Sequence, residues 1–250
     1  MADPALRSRR APGSPGPPRV LFLAAVEQEI LPLEAWLARL GDILEARLEV
    51  TGAGKASAAS AAALAIAEFR PAIAVQVGCA GAYPASGMPV GGVVVSDLEI
   101  LADEGVLAPE GFLDLSHLAL PAASDRGRPV FNEVPTFRPR FETWQGLLER
   151  VGGRFQVRAG RTATVSTGSG TDERAREIAS RWDPLSESME GAAAAIAALR
   201  QGCPFLEVRG ISNVVGQRDR ASWRIEEASE HAAETAAHIL ELEIAIGGFQ

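Results

Sequence analysis

The chain has 250 residues, 47% of them hydrophobic and 22% charged, which fits one large globular domain built on a single core. Its formal net charge of −8 argues against nonspecific nucleic-acid binding. Two distant cysteines and three scattered histidines supply neither a disulfide framework nor a metal-ligand spacing, so a cytoplasmic protein without a metal is expected.

Residues 1–18, rich in Pro, Gly and Arg, read as a disordered tail, and the folded domain is expected over 19–250. "RVLFLAAV" (19–26) is a short unbroken apolar run, the kind that fills a strand buried on both faces. "EQEILPLEAWLARLG" (27–41) carries apolar residues at helical spacing and ends at Gly41. A strand is expected over 43–50, a turn at "TGAGK" (51–55), a helix over 59–69 and a second buried strand over 72–78. Glycine-rich "CAGAYPASG" (79–87) follows, then a strand over 91–101. The stretch 102–138 reads as irregular, and its length marks it as functional or flexible. A helix over 138–152 precedes a strand over 155–167, and "TDERAREIASRW" (171–182) is a helix opened by a Thr/Asp cap. "PLSESM" (184–189) is a short strand and "EGAAAAIAALRQG" (190–202) an alanine-driven helix. "CPFLEVRGIS" (203–212) is a strand, and residues 225–246 form a long closing helix. No apolar stretch reaches membrane-spanning length, so no membrane partner is expected. Strands alternating with helices imply an α/β fold with a mostly parallel sheet covered on both sides, where ligands gather at strand ends.

Two glycine-rich loops invite a nucleotide reading and fail it. "TGAGKAS" (51–57) has Glu49 where a phosphate loop needs its first glycine, and Ser57 where the dinucleotide pattern needs its third. "GSGTDE" (168–173) fails in the same way. "AAVEQE" (24–29) puts Glu27 and Glu29 directly after the first strand, and "SESMEG" (186–191) sets Glu187 and Glu190 around Met189. "RGISNVVGQRD" (209–219) opens its loop with Ser212 and Asn213. Each also has a bland explanation: acidic residues suit a helix's first turn, and Asn caps turns. Together they would bring Glu29, Glu190 and Asn213 towards one pocket. The small residues of "VGCAGAY" (77–83) would let a flat ligand approach the backbone there.

"AAVEQE", "VGCAGAY", "SMEGAAAA" and "VRGISNVVG", in that order and spacing, resemble the nucleoside phosphorylase and nucleosidase superfamily over about residues 19–245. Within it, "ADEGV" (102–106) and "GQRDRASW" (216–223) look like the futalosine hydrolases of the alternative menaquinone pathway rather than the methylthioadenosine-cleaving nucleosidases. The resemblance implies a nucleoside phosphorylase-like α/β fold, with a central mixed β-sheet flanked by α-helices, in a homodimer. It implies hydrolysis of the N-glycosidic bond of futalosine, a purine nucleoside, to hypoxanthine and dehypoxanthine futalosine without a cofactor. Carried over motif by motif, Glu190 binds the ribose hydroxyls and favours the cationic sugar, and Met189 packs against the ribose. Glu29 holds and activates the water, and the backbone of Cys79, Ala80 and Gly81 lines the base and sugar pocket. Asn213 stands where adenine nucleosidases carry Asp; the family look favours a 6-oxopurine edge there and leaves the leaving-group proton to solvent. Arg218, Arg220 and Arg224 are candidates for the benzoate of futalosine, with Trp223 to stack on its ring.

Phosphorolysis is the nearest rival. Phosphorylases of this superfamily place arginines after strand 1 and ahead of the "AG" turn, where this chain has none. Two further rivals are a methylthioadenosine or adenosylhomocysteine nucleosidase and a noncatalytic nucleoside-binding protein. The resemblance departs between residues 41 and 51, where relatives usually have a further hairpin strand.

Overall fold

In β1 (Arg19–Ala24), Val20, Phe22 and Ala24 enter one core cluster while Leu21 and Leu23 enter another on the opposite side. Its unbroken apolar run therefore sits at the centre of a layered structure, covered on both faces. The computed structural model describes residues 16–216 and 218–249; residues 1–15 of the expected tail lie outside them. After β1 come α1 (Glu27–Ile30), α2 (Pro32–Leu40), β2 (Glu45–Val50), α3 (Lys55–Phe69), β3 (Ile73–Ala82) and β4 (Val93–Leu101). Five short strands follow: β5 (Gly105–Ala108), β6 (Gly111–Asp114), β7 (Ala123–Asp125), β8 (Arg128–Val130) and β9 (Glu133–Pro135). The chain closes with α4 (Phe141–Val151), β10 (Val157–Thr164), α5 (Asp172–Trp182), β11 (Ser186–Ser188), α6 (Gly191–Arg200), β12 (Phe205–Val214) and α7 (Ile225–Ala245).

The main sheet runs β11-β10-β4-β12-β3-β1-β2, with β9 paired to β4. It is mixed: β12 lies parallel to β3 but antiparallel to β4, and β10 and β11 then follow the direction of β4. The site is thus not arrayed along one edge of a parallel sheet. Three-residue β11 is hydrogen-bonded to both β10 and β3, which curls β3, β12, β4, β10 and β11 into a closed ring. That closure brings the ends of strands with opposite directions to one place.

Leu33 and Leu40 of α2, Leu147 and Val151 of α4, and the alanines of α7 fill the face beneath Val20 and Phe22. Alanines of α3 and α6 fill the other face, their small side chains letting two helices lie close to the sheet and to each other. Ile178 and Trp182 of α5 cover the ring beside Ile100 and Val165.

Two expectations are corrected. The helix over 27–41 is two helices, because Pro32 lacks the N–H that would continue the first and instead opens α2 at its first position. The stretch 102–138 is not irregular: β5–β6 and β7–β8 are hairpins and β9 joins the main sheet. Strands of three or four residues carry too few positions for a visible alternation. Among the described residues no helix is long and apolar enough to cross a membrane.

Candidate active site

Glu29 sits on the four-residue helix α1 and is buried. Its Oε2 accepts the Ala25 N–H at 3.1 Å and its Oε1 the Cys79 N–H at 2.9 Å, so one carboxylate ties the end of β1 to the later half of β3. Gly78 makes this possible: a Cβ there would lie 2.7 Å from Glu29 Oε1 and 2.8 Å from the guanidinium of Arg209. Burial, and then the Glu29 charge beside it, push the Cys79 thiol up to about 12, so it is a protonated neighbour of the carboxylate and not a nucleophile.

Glu190 is the residue before α6, yet its side chain does not cap that helix. Its carboxylate turns away to accept the Gly54 N–H at 3.0 Å, the Met189 N–H at 3.3 Å and the Arg209 Nη2 at 3.3 Å. The helix-start reading of the acidic residue is therefore only positional. The alanine run builds α6, and Gly54, at the start of α3, anchors the carboxylate.

Arg209 heads the motif "RGISNVVGQRD", yet the motif alone assigns it no role. It is one of the largest fully buried side chains. Its Nε donates to Glu207 Oε1 at 2.8 Å, its Nη1 to the Cys79 carbonyl at 3.3 Å, and its Nη2 to Glu190. Burial works against its charge, but Glu207, Glu190 and Glu29 more than offset this and raise its pKa above the ordinary arginine value. The absence of arginine from the loops after β1 and before the "AG" turn holds, but a guanidinium reaches the site from β12. The available signal was a Glu and an Arg two residues apart in an otherwise apolar strand, which must share one buried side.

Asn213 follows a bulge in the β12–β3 pairing and stands opposite Gly81. Its Oδ1 accepts the Ser212 hydroxyl at 2.8 Å and its Nδ2 donates to the Val214 carbonyl at 3.1 Å, leaving one amide N–H for a ligand. Glu187, the other carboxylate of "SESMEG", is held by the Ser169 N–H at 2.7 Å, the Ser169 hydroxyl at 2.6 Å and the Tyr83 hydroxyl at 2.6 Å. It fixes the 166–170 loop against β3.

These residues line one cavity of about 630 Å³, of the size that holds a small ligand. Glu29, Cys79, Ala80, Gly81, Met189, Glu190, Asn213, Arg218 and Trp223 all face it. Arg220 and Arg224 do not. Arg224 pairs with Glu227 at 2.6 Å, whereas Arg218 lies 5.9 Å from the Trp223 ring at the cavity wall. Among the described residues no group of three or more His, Cys, Asp or Glu is placed to hold a metal ion.

The Phosphorylase superfamily profile matches residues 21–245. The chain is similar to the futalosine hydrolase of Acidothermus cellulolyticus, with 36% identity over 70% of this chain and 67% of that protein. It is similar to the futalosine hydrolase of Thermus thermophilus, again at 36% identity, over 76% of this chain and 79% of the other. Among solved structures, the S-adenosylhomocysteine nucleosidase of Streptococcus pyogenes, in complex with 5-methylthiotubericidin, superposes with a TM-score of 0.74 at 25% identity. That match covers 92% of this chain and 98% of the nucleosidase.

Proposed function

The chain belongs to the phosphorylase superfamily, and on that premise we infer that its pocket hydrolyses the N-glycosidic bond of futalosine, releasing hypoxanthine and dehypoxanthine futalosine. The observation that carries the reading is the placement of Glu29 and Glu190, two buried carboxylates each anchored by two backbone N–H groups, on one cavity with the Asn213 amide. Breaking the bond leaves positive charge on the ribose and sends negative charge into the base. Glu190 supplies the anion beside the ribose hydroxyls, and Met189 packs on the sugar. Glu29 holds the attacking water and takes its proton. Asn213 gives its remaining N–H to the base, and Arg218 with Trp223 receives the benzoate. A phosphate dianion is a poor nucleophile here: Arg209, the guanidinium beside Glu190, is already engaged by Glu207 and Glu190, so the dianion would meet the negative charge of Glu29 and Glu190.

The likeness to the streptococcal nucleosidase favours a second reading, cleavage of an adenine nucleoside, but at lower identity than the futalosine hydrolases. Incubation with futalosine, inosine and methylthioadenosine, followed by chromatography of the free base, separates the two. Release of hypoxanthine from futalosine supports the first; base release from methylthioadenosine alone overturns it. Nucleoside binding without product would return the chain to the class of binding proteins.

The protein acts in menaquinone biosynthesis as a cytoplasmic homodimer. The two free thiols suit a reducing compartment. Val26, Met189 and Val214, all on the cavity and 44%, 37% and 49% exposed, form an apolar rim suited to cover by a second copy. Sedimentation at monomer mass at micromolar concentration would exclude the dimer.

A further inference from the structure

Behind Glu190, away from the cavity, lies a pair of carboxyls that the proposed reaction does not use. Glu99 on β4 and Glu207 on β12 are both fully buried. Their carboxyls are neighbours, both lying against the first residue of α6. Each keeps one oxygen, Glu99 Oε1 and Glu207 Oε2, without a partner among the described residues. A Cβ on Gly191, the first residue of α6, would collide with both carboxyls, so they meet directly under the residue that follows Glu190. The pair is wired to its surroundings on both sides. Thr164 donates to Glu99 Oε2 at 3.0 Å and accepts the Ala192 N–H at 2.8 Å, tying Glu99 to the first turn of α6. Glu207 holds Arg209, and Arg209 holds Glu190.

We propose that Glu99 and Glu207 are positioning residues of this site: one proton shared by their carboxyls fixes Glu207 against Arg209, and so keeps the Arg209 charge from closing on Glu190. This rests on the reading of Glu190 as the ribose ligand. Arg209 is closer to Glu207 than to Glu190, at 2.8 Å against 3.3 Å. A guanidinium freed from Glu207 would form the paired contact with Glu190 that planar forks favour, and would cancel the charge that stabilises the cationic ribose. Two bare carboxylates side by side in a buried site repel strongly, whereas a single proton held by the pair removes that repulsion. The charged groups facing Glu99 are Glu207 and Arg209 of β12, with Glu190 reached through Arg209. Burial first, and then Glu207, raise the Glu99 carboxyl well above the ordinary carboxylate range.

The test uses E99Q, which keeps a donor towards Glu207, and E99L, which removes it. Infrared spectra of the parent at pH 7 should show the C=O stretch of a protonated carboxyl that is absent from E99Q. On futalosine, E99L should lose about tenfold or more in kcat with KM nearly unchanged, while E99Q keeps at least about tenfold more kcat than E99L. A parent without the protonated-carboxyl band, a band that persists in E99Q, or equal kcat for E99Q and E99L would each overturn the proposal. If E99L does not fold, the infrared comparison decides alone. A parent that releases no base from futalosine would sink the hydrolase reading and leave the infrared test of the shared proton intact.

Discussion

Glu190 owes its place to what its side chain declines to do. A carboxylate before a helix normally satisfies the first turn's N–H groups, but this one reaches Gly54 and Arg209 instead. Its removal should therefore spare the helix and harm the chemistry. We predict that E190Q lowers kcat by about 10²–10³-fold, the scale of losing one preorganised charge contact, with a small change in melting temperature. A large fall in melting temperature with proportionate loss of activity would return Glu190 to a structural part. Cys79 gives a second prediction at this scale. With its thiol pushed up to about 12, and that of Cys203 to about 11, both should resist iodoacetamide at pH 7.5 in the folded enzyme. Rapid alkylation with loss of activity would contradict the protonated thiol at Cys79.

Among the elements, β12 is paired to β3 and β4 and packed tightly under α7. Gly210 lies under α7 so closely that a Cβ would overlap the Ala228 carbonyl oxygen, and backbone on both sides leaves nothing flexible to move. G210A should cost about 3 kcal/mol or more in denaturant unfolding, at the upper end of overpacking effects. A loss below about 1 kcal/mol would mean that α7 can lift away. This scale also separates what was legible in the sequence from what was not. The unbroken runs of β1 and β3 and the alanine face of α6 follow directly from residue pattern. Five short strands after β4 carry no such pattern, and three-residue β11 is defined by its two partners rather than by its own side chains. Ring closure through β11 is a tertiary event that no local window contains.

Across the whole molecule, buried charge links folding to pH. Glu99 has its carboxyl raised well above 4.5 by burial and by Glu207, so folding takes up a proton there. Its contribution to stability is fully present below about 4.5 and is lost as pH rises towards the raised value. E99Q does not titrate, so its stability relative to the parent should increase from about pH 5 to pH 8 in urea unfolding. A constant or falling difference would show that Glu99 is ionised in the folded protein. The same buried network marks the limit of the sequence reading at the site. Glu29, Glu190 and Asn213 each stand within a few residues of a strand end, and the structure places them on one cavity. Arg209, Glu207 and Glu99 lie inside strands, where a charge in an apolar run has no meaning until its partners on other strands are known. Of the three arginines offered for the benzoate, only Arg218 faces the cavity, and Arg224 is drawn off by Glu227, distinctions that spacing alone left open.

In the proposed reaction, water held by Glu29 and driven by the charge of Glu190 displaces hypoxanthine from futalosine. Turnover of futalosine in phosphate-free buffer made with oxygen-18 water, with mass analysis of the sugar product, tests it most directly. Hydrolysis should give free hypoxanthine and one heavy oxygen on the sugar, at a rate unchanged by added phosphate. A sugar phosphate as product, or release of base only when phosphate is supplied, would contradict it.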